Sequence, residues 1–268
     1  MKAKCYLVAT PIGNLKDITL RAIETLKFVD IIACEDTRHT LRLLNHYEIK
    51  KPLISYHEHK EKEGALQILD LISNGKNVAL VSDAGMPCIS DPGALLVQKL
   101  RENGVDLTVI PGASALTSAV SLSGLEGVFT FLGFLKGKRK QIDDTLIQYK
   151  NINTALVIYC APHDLQKTLD ILHKNLGRRG VSLIKEITKI YEGVTYGYLG
   201  EISIDAPKGE YVIIVYPPDI IEKTEDIDIE KELKELLEKG MSKRDASSYL
   251  SEKYSLSKNK VYSISLNI

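Results

Sequence analysis

Residues 82–93 read Ser82-Asp83-Ala84-Gly85-Met86-Pro87-Cys88-Ile89-Ser90-Asp91-Pro92-Gly93. The apolar run Val78-Ala79-Leu80-Val81 precedes them, and the helical stretch Ala94–Arg101 follows. Two Gly, two Pro and two Asp therefore separate a buried strand from a helix. At the carboxyl end of a strand in an open α/β sheet, such a loop is where small ligands bind. Gly lets backbone approach a ligand closely, and Pro holds the loop's shape. Alone, the segment fits a rigid βα turn equally well. A second loop of the same kind favours the binding reading: the strand Tyr6–Thr10 runs into Pro11-Ile12-Gly13-Asn14-Leu15-Lys16-Asp17-Ile18-Thr19. Neither loop carries G-x-G-x-x-G or G-x-x-x-x-G-K-[ST], so a pyrophosphate cradle is not expected and a ligand without phosphates fits better.

Outward from these loops the pattern alternates. Strands are expected at Cys5–Thr10, Ile31–Cys34, Leu53–Tyr56, Val78–Val81 and Asp106–Ile110, and helices at Thr19–Phe28, Thr37–Tyr47, Lys60–Ser73 and Ala94–Arg101. Such βα alternation implies a mainly parallel sheet. After a small-residue helix at Ala115–Ser123 the chain becomes richer in strands: Phe129–Phe134, Thr154–Tyr159, Val181–Lys185, Thr188–Glu192, Tyr196–Leu199 and Glu210–Tyr216, with one helix at Asp164–Asn175. Pro217-Pro218 stops the last strand, and the acidic stretch Glu222–Asp228 reads as a linker. Ile229–Lys239 is an amphipathic helix, Ser242 caps a second, and Ser257 is placed to cap a third. The expected division is an α/β domain over 1–119, a second α/β domain over 120–222, and a linker with a helix-turn-helix-like tail over 223–268.

The 268 residues carry 44% hydrophobic and 26% charged side chains and no formal net charge, the composition of a globular protein. No apolar run reaches the roughly 18 residues of a membrane span, and the N-terminal apolar stretch is too short for a signal peptide. Cys5, Cys34, Cys88 and Cys160 include no C-x-x-C, which argues for reduced thiols in a cytoplasmic protein. Zero net charge counts against nucleic-acid binding, yet it conceals local patches: Lys136, Lys138, Arg139 and Lys140 form one, and Lys243 and Arg244 lie in another near the C-terminus.

Seven segments follow one another in register: Thr10-Pro11-Ile12-Gly13-Asn14, Glu35-Asp36-Thr37-Arg38-His39-Thr40, Tyr56-His57-Glu58-His59, Ser82-Asp83-Ala84-Gly85, Pro111-Gly112-Ala113-Ser114-Ala115, Gly133-Phe134-Leu135 and Lys185-Glu186-Ile187-Thr188-Lys189. Together they resemble the ribosomal RNA small subunit methyltransferase I family of the tetrapyrrole methylase superfamily, over nearly the whole chain. The resemblance implies a two-domain class III methyltransferase fold with a small helical appendage. It implies S-adenosyl-L-methionine folded in the cleft, against Pro11, Ile12, Gly13, Asp83, Gly85, Met86, Ser114, Ala115 and Leu116. The implied reaction is methylation of a cytidine 2′-oxygen in the decoding centre of small-subunit ribosomal RNA, by a homodimer with no metal and no membrane partner. Asn14, Arg38 and the two basic patches are the residues expected to meet RNA. The sequence departs from the family where Met86 replaces a usual Thr, where Lys136 replaces a common Pro, and where Cys160-Ala161-Pro162-His163-Asp164 replaces Glu-x-x-His-Arg.

Methyl transfer from a sulfonium needs alignment first, and a ribose hydroxyl also profits from a base. The candidates for that base are Lys185, Glu186, Glu35, Asp36 and His59. Lys185-Glu186 fits a structural ion pair equally well, Arg38 fits a salt bridge to Glu35 or Asp36, and Asp83 fits an Asx turn. His57 and His59 share a strand face but find no further ligand at metal-site spacing. The alternatives in other classes are a small-molecule tetrapyrrole or corrinoid methylase, and a non-catalytic ribosome-assembly factor.

Overall fold

The computed structural model describes residues 2–218, 229–254 and 258–266. The expected linker at 222–228 and the expected cap Ser257 lie outside the described residues. The chain divides into two compact units, Met1–Pro218 and Asp219–Ile268.

In the first unit, β1 (Cys5–Val8), β2 (Ile31–Cys34), β3 (Leu53–Ser55), β4 (Val78–Val81) and β5 (Leu107–Ile110) form a parallel sheet in the order β3-β2-β4-β1-β5. The helices α1 (Leu20–Phe28), α2 (Thr37–His46), α3 (Glu61–Ser73) and α4 (Ala94–Glu102) alternate with these strands. Such a sheet is buried on both faces, which is why its strands read as unbroken apolar runs. Successive residues of β4 serve opposite cores: Ala79 and Val81 join Leu26, Ile32 and Leu44, while Val78 and Leu80 join Ile68, Leu96 and Leu100. Side chains Thr19 and Asp36 cap α1 and α2 by accepting from Ala22 N and Arg38 N.

The strand order carries a functional consequence. From β1 the chain crosses over β4 to reach β2, and from β4 it crosses over β1 to reach β5. Adjacent strands whose connections leave in opposite directions open a crevice at their carboxyl ends. The loops leaving β1 and β4 are the two quoted above.

The second sheet is mixed. It contains β6 (Phe129–Phe134), β7 (Ala155–Cys160), β8 (Gly180–Lys185), β9 (Gly193–Tyr198) and β10 (Tyr211–Val215) in the order β6-β7-β10-β8-β9, with only β6 and β7 parallel. One face packs on α6 (Arg139–Ile147) and α7 (Leu165–Leu176) through Leu146, Leu156, Ile158, Leu169 and Leu172. The other face, with Val157, Ile184, Val212 and Ile214, holds Ala119 of α5 (Ala115–Ser123). Two sequence expectations differ here. The basic patch at Lys136–Lys140, for which the sequence pattern gave no helix, begins one at Arg139, steadied by the Arg139–Asp143 pair one turn apart at 3.0 Å. Thr188–Glu192, read as a strand, is a turn. Glu186 and Thr188 adopt φ of 50° and 65°, and Glu192 accepts from the Thr188 backbone N–H, so the extended conformation is lost.

In the second unit, α8 (Ile229–Glu238), α9 (Lys243–Tyr254) and α10 (Lys258–Leu266) enclose Leu233, Ala246, Leu250 and Val261. Ser242 caps α9, its hydroxyl accepting from Asp245 N at 3.1 Å. Among the described residues no helix is long and apolar enough to cross a membrane.

Candidate active site

The two loops at the crevice are bonded to each other. Thr10 N donates to Gly85 O at 2.9 Å, Gly85 N donates back to Thr10 O at 3.1 Å, and the Thr10 hydroxyl donates to Ser82 O at 3.1 Å. The second loop is tightly wound, with Gly85, Cys88, Ser90 and Gly93 at φ of 81°, 68°, 66° and 137°. Gly93 is obligatory: a Cβ there would sit 2.5 Å from Cys88 Sγ. The Gly93 N–H is held by the Glu61 carboxylate of α3 at 2.9 Å, which ties the loop's end to the scaffold.

A cavity of about 500 Å³ opens beside these loops, within the range of small-ligand sites. Both sheets contribute to it. The first supplies Ile12, Glu35, Asp83, Gly85, Met86 and Asp91, and the loop after β5 supplies Ser114 and Ala115. The second supplies Phe134, Tyr159, Ile187, Lys189 and Glu210. The Tyr159 ring lies edge-on to Phe131 and Phe134 at 4.9 and 5.5 Å between centroids, an aromatic wall for a flat group.

The same cavity is lined by three half-buried carboxylates, Glu35, Asp83 and Asp91. Burial, then the charges of Glu35 and Asp83, push the Asp91 carboxyl up to about 6. Burial, then Asp83 and Glu58, raise Glu35. Lys136 opposes both shifts from outside the cavity lining. The backbone N–H of Asp36 donates to Asp83 Oδ1 at 3.2 Å and orients that carboxylate. A concentration of negative charge in an apolar recess disfavours its own ionisation and favours a cation.

The expected cofactor residues separate into two groups. Ile12, Asp83, Gly85, Met86, Ser114 and Ala115 line the cavity, whereas Pro11, Gly13 and Leu116 do not. Gly13 passes so close to Lys189 that a Cβ would lie 2.5 Å from Lys189 Cγ. Of the five base candidates only Glu35 lines the cavity. Glu186 is tied to Lys189 at 2.8 Å, and its carboxyl is lowered first by that bond. Lys189 also donates to Glu210 at 2.8 Å; burial works against its charge, but the two carboxylates outweigh burial and its pKa is raised. Lys185 ends β8 and is absent from the lining. Asp36 caps α2, and its carboxyl is lowered first by the Arg38 backbone N–H. The His59 side chain is 82% exposed, 3.9 Å from Glu58, with its ring 5.9 Å from that of His57.

Of the residues expected to meet RNA, Asn14 caps a 3-10 turn, accepting from Lys16 N. Arg38 is 90% exposed with its Nε 3.6 Å from Asp36. Lys136, Lys138 and Lys140 are exposed, as are Lys243 and Arg244 on α9. Sequence reasoning did not single out Asp91, Tyr159, Lys189 or Glu210. Asp91 was quoted in the deciding loop, and its place between Ser90 and Pro92 was the available signal. The divergent segment Cys160–His163 also lines the cavity.

The family model of the tetrapyrrole (corrin/porphyrin) methylases matches residues 4–203. A protein of Synechocystis named ribosomal RNA small subunit methyltransferase I is 40% identical, over 98% of this chain and 97% of its own length. One of the same name from Coprothermobacter proteolyticus is 47% identical over 79% of this chain and 97% of its own length. The crystal structure of the methyltransferase CobJ shares the fold, with a TM-score of 0.63 at 17% identity over 81% of this chain and 95% of its own. The chain belongs to the tetrapyrrole methylases and, within them, to the ribosomal RNA small subunit methyltransferase I family.

Proposed function

We propose that this protein transfers a methyl group from S-adenosyl-L-methionine to the 2′-oxygen of a cytidine in the decoding centre of small-subunit ribosomal RNA, in the cytoplasm and as a homodimer. The observation that carries the reading is the cavity that combines three carboxylates with an aromatic wall at the crossover point of the first sheet. That donor set suits the cofactor: a cationic centre and amino group toward Glu35, Asp83 and Asp91, and a flat base toward Phe134 and Tyr159. When bound, adenosylmethionine supplies a methyl group already activated by its positively charged sulfur.

The protein's part is placement. Two halves, 1–119 and 120–222 in the division read from sequence, close on the cavity, and the tail 223–268 serves RNA. Gly13 holds the first loop against Lys189, and Asp83 orients the cofactor. Alignment of this kind supplies about 7–11 kcal/mol of a barrier. Glu35 is the carboxylate placed to accept the ribose proton, and a positioned base adds roughly 10²–10⁴ in rate. Arg38, Lys136, Lys138 and Lys140 present exposed charge for phosphates, whose sequence-independent attraction supplies affinity.

The test is methylation of purified small subunits from cells lacking this protein. One cytidine gains a methyl, and its 3′ linkage resists alkali because the internal nucleophile is blocked. A methyl on a base nitrogen, or an alkali-sensitive linkage at that cytidine, removes the ribose assignment. Wild-type protein that binds no adenosylmethionine in calorimetry removes the methyltransferase reading itself.

A chain ending at residue 222 is expected to keep its cofactor affinity, since the cavity lies wholly within Met1–Pro218. Its KM for subunits rises about fivefold and the salt dependence of that KM weakens, because exposed Lys243 and Arg244 are gone. Equal KM values at every ionic strength would reduce the tail to a packing appendage.

A further inference from the structure

A second cavity, of about 250 Å³, lies on the other side of Asp83. Its floor is apolar, made by Pro11, Leu15 and Leu43, and its rim carries His39 and Arg42 of α2. Thr10, Thr40 and Ser82 complete it. The only residue that lines both cavities is Asp83. The first cavity is acidic; apart from that shared wall, the ionisable side chains that line the second are His39 and Arg42. Arg42 is exposed and forms no ion pair or hydrogen bond with any described residue. Leu15 is 40% exposed and held in position: the Tyr47 hydroxyl donates to its carbonyl.

We propose that this second cavity seats one unstacked nucleotide of single-stranded RNA, the neighbour of the nucleotide that is methylated. The base lies on Pro11, Leu15 and Leu43, and the phosphate faces Arg42 and His39. The volume corresponds to roughly eight waters at liquid density, room for a pyrimidine ring but not for a helix. Sequence-selective RNA recognition takes splayed-out bases of this kind, one to a pocket. Arg is the side chain that meets a phosphate with two parallel bonds. A neighbour docked here delivers the next ribose past Asp83 into the first cavity, where Glu35 stands and the methyl donor is held. This inference rests on the RNA methyltransferase reading and adds to it the side from which RNA enters.

The experiment uses the full-length protein, small ribosomal subunits lacking the modification, and radiolabelled adenosylmethionine. Arg42→Gln is expected to raise the KM for subunits about fivefold and to reduce the slope of log KM against log salt by about one, the mark of one lost phosphate contact. The KM for adenosylmethionine and its calorimetric affinity stay at wild-type values. Arg42→Lys restores the salt slope, which a packing role for the side chain would not do. Leu15→Ala raises the KM for subunits with the salt slope intact, because it removes only the base platform. Wild-type KM and slope for Arg42→Gln, with methylation otherwise normal, overturn this proposal alone. Wild-type protein that neither binds adenosylmethionine nor methylates subunits overturns it together with the function on which it rests.

Discussion

Asp83→Ala is expected to weaken adenosylmethionine binding by about thirtyfold or more, since removing one partner of a desolvated, hydrogen-bonded charge costs about 2–5 kcal/mol. Asp83 is placed for this. Its Oδ1 accepts from Asp36 N at 3.2 Å, and the residue lines the cavity. The fold tolerates the change, because α2 keeps its own cap: the Asp36 carboxylate still accepts from Arg38 N at 2.7 Å. Asp83→Asn separates the two contributions. It retains an oxygen for Asp36 N but loses the charge, so its affinity falls between the other two. Calorimetry on the three proteins, with melting temperatures alongside, checks the prediction. Equal affinities would place Asp83 outside the cofactor site.

The second large effect is a dependence on pH. Asp91 has a folded pKa of about 6 against an ordinary 3.8. Between those values the folded protein holds a proton that the unfolded chain has released. The free protein therefore loses stability as pH rises from about 4 to about 6, the reverse of the usual carboxylate case. A bound cation reverses the preference, since an opposite charge nearby lowers a carboxyl pKa by about 1–3 units. Adenosylmethionine affinity should then fall about tenfold between about pH 7.5 and pH 4.5, with uptake of close to one proton by the free site. Glu35, Asp83 and Lys136 act on Asp91, Cys88 and Tyr159 also lie within its field, and the Glu35 carboxyl is raised like that of Asp91. Asp91→Asn flattens the profile and, with one carboxylate fewer, melts at a higher temperature without ligand at neutral pH. An affinity independent of pH in the wild type would mean that no cation meets this carboxylate.

Much of the architecture was legible in sequence for a definite reason. Val78–Val81 and Ile31–Cys34 are buried on both faces, so their apolar character is continuous and hard to mistake. Ala115–Ser123 ends at Gly124 with φ 66°, a left-handed residue that glycine announces. The turn at Thr188–Glu192 was not legible. Its β-branched composition favours a strand, and the left-handed Thr188 exists only because Glu192 and Asp17 bond to it. Asp17 lies far away in sequence and on the other sheet's side of the cavity.

The site divides in the same way. The sequence alone picked out the two loops that line the cavity, because Gly, Pro and Asp at strand ends have local conformational effects that need no partner. It also determined the family, since seven short segments keep their order and spacing. Only the tertiary structure decided which charges act together. Glu35 follows β2 while Asp83 and Asp91 lie at the two ends of the loop after β4, and Asp91 is raised because it is buried and the other two are near. Glu186 and Lys189 bind each other where Lys185 and Glu186 are the adjacent pair in sequence, because a strand sends neighbouring side chains to opposite faces and the following turn brings the third residue back. Charge, burial and hydrogen bonding act through space, and the distances that set them exist only once the crossovers have placed β1 beside β4.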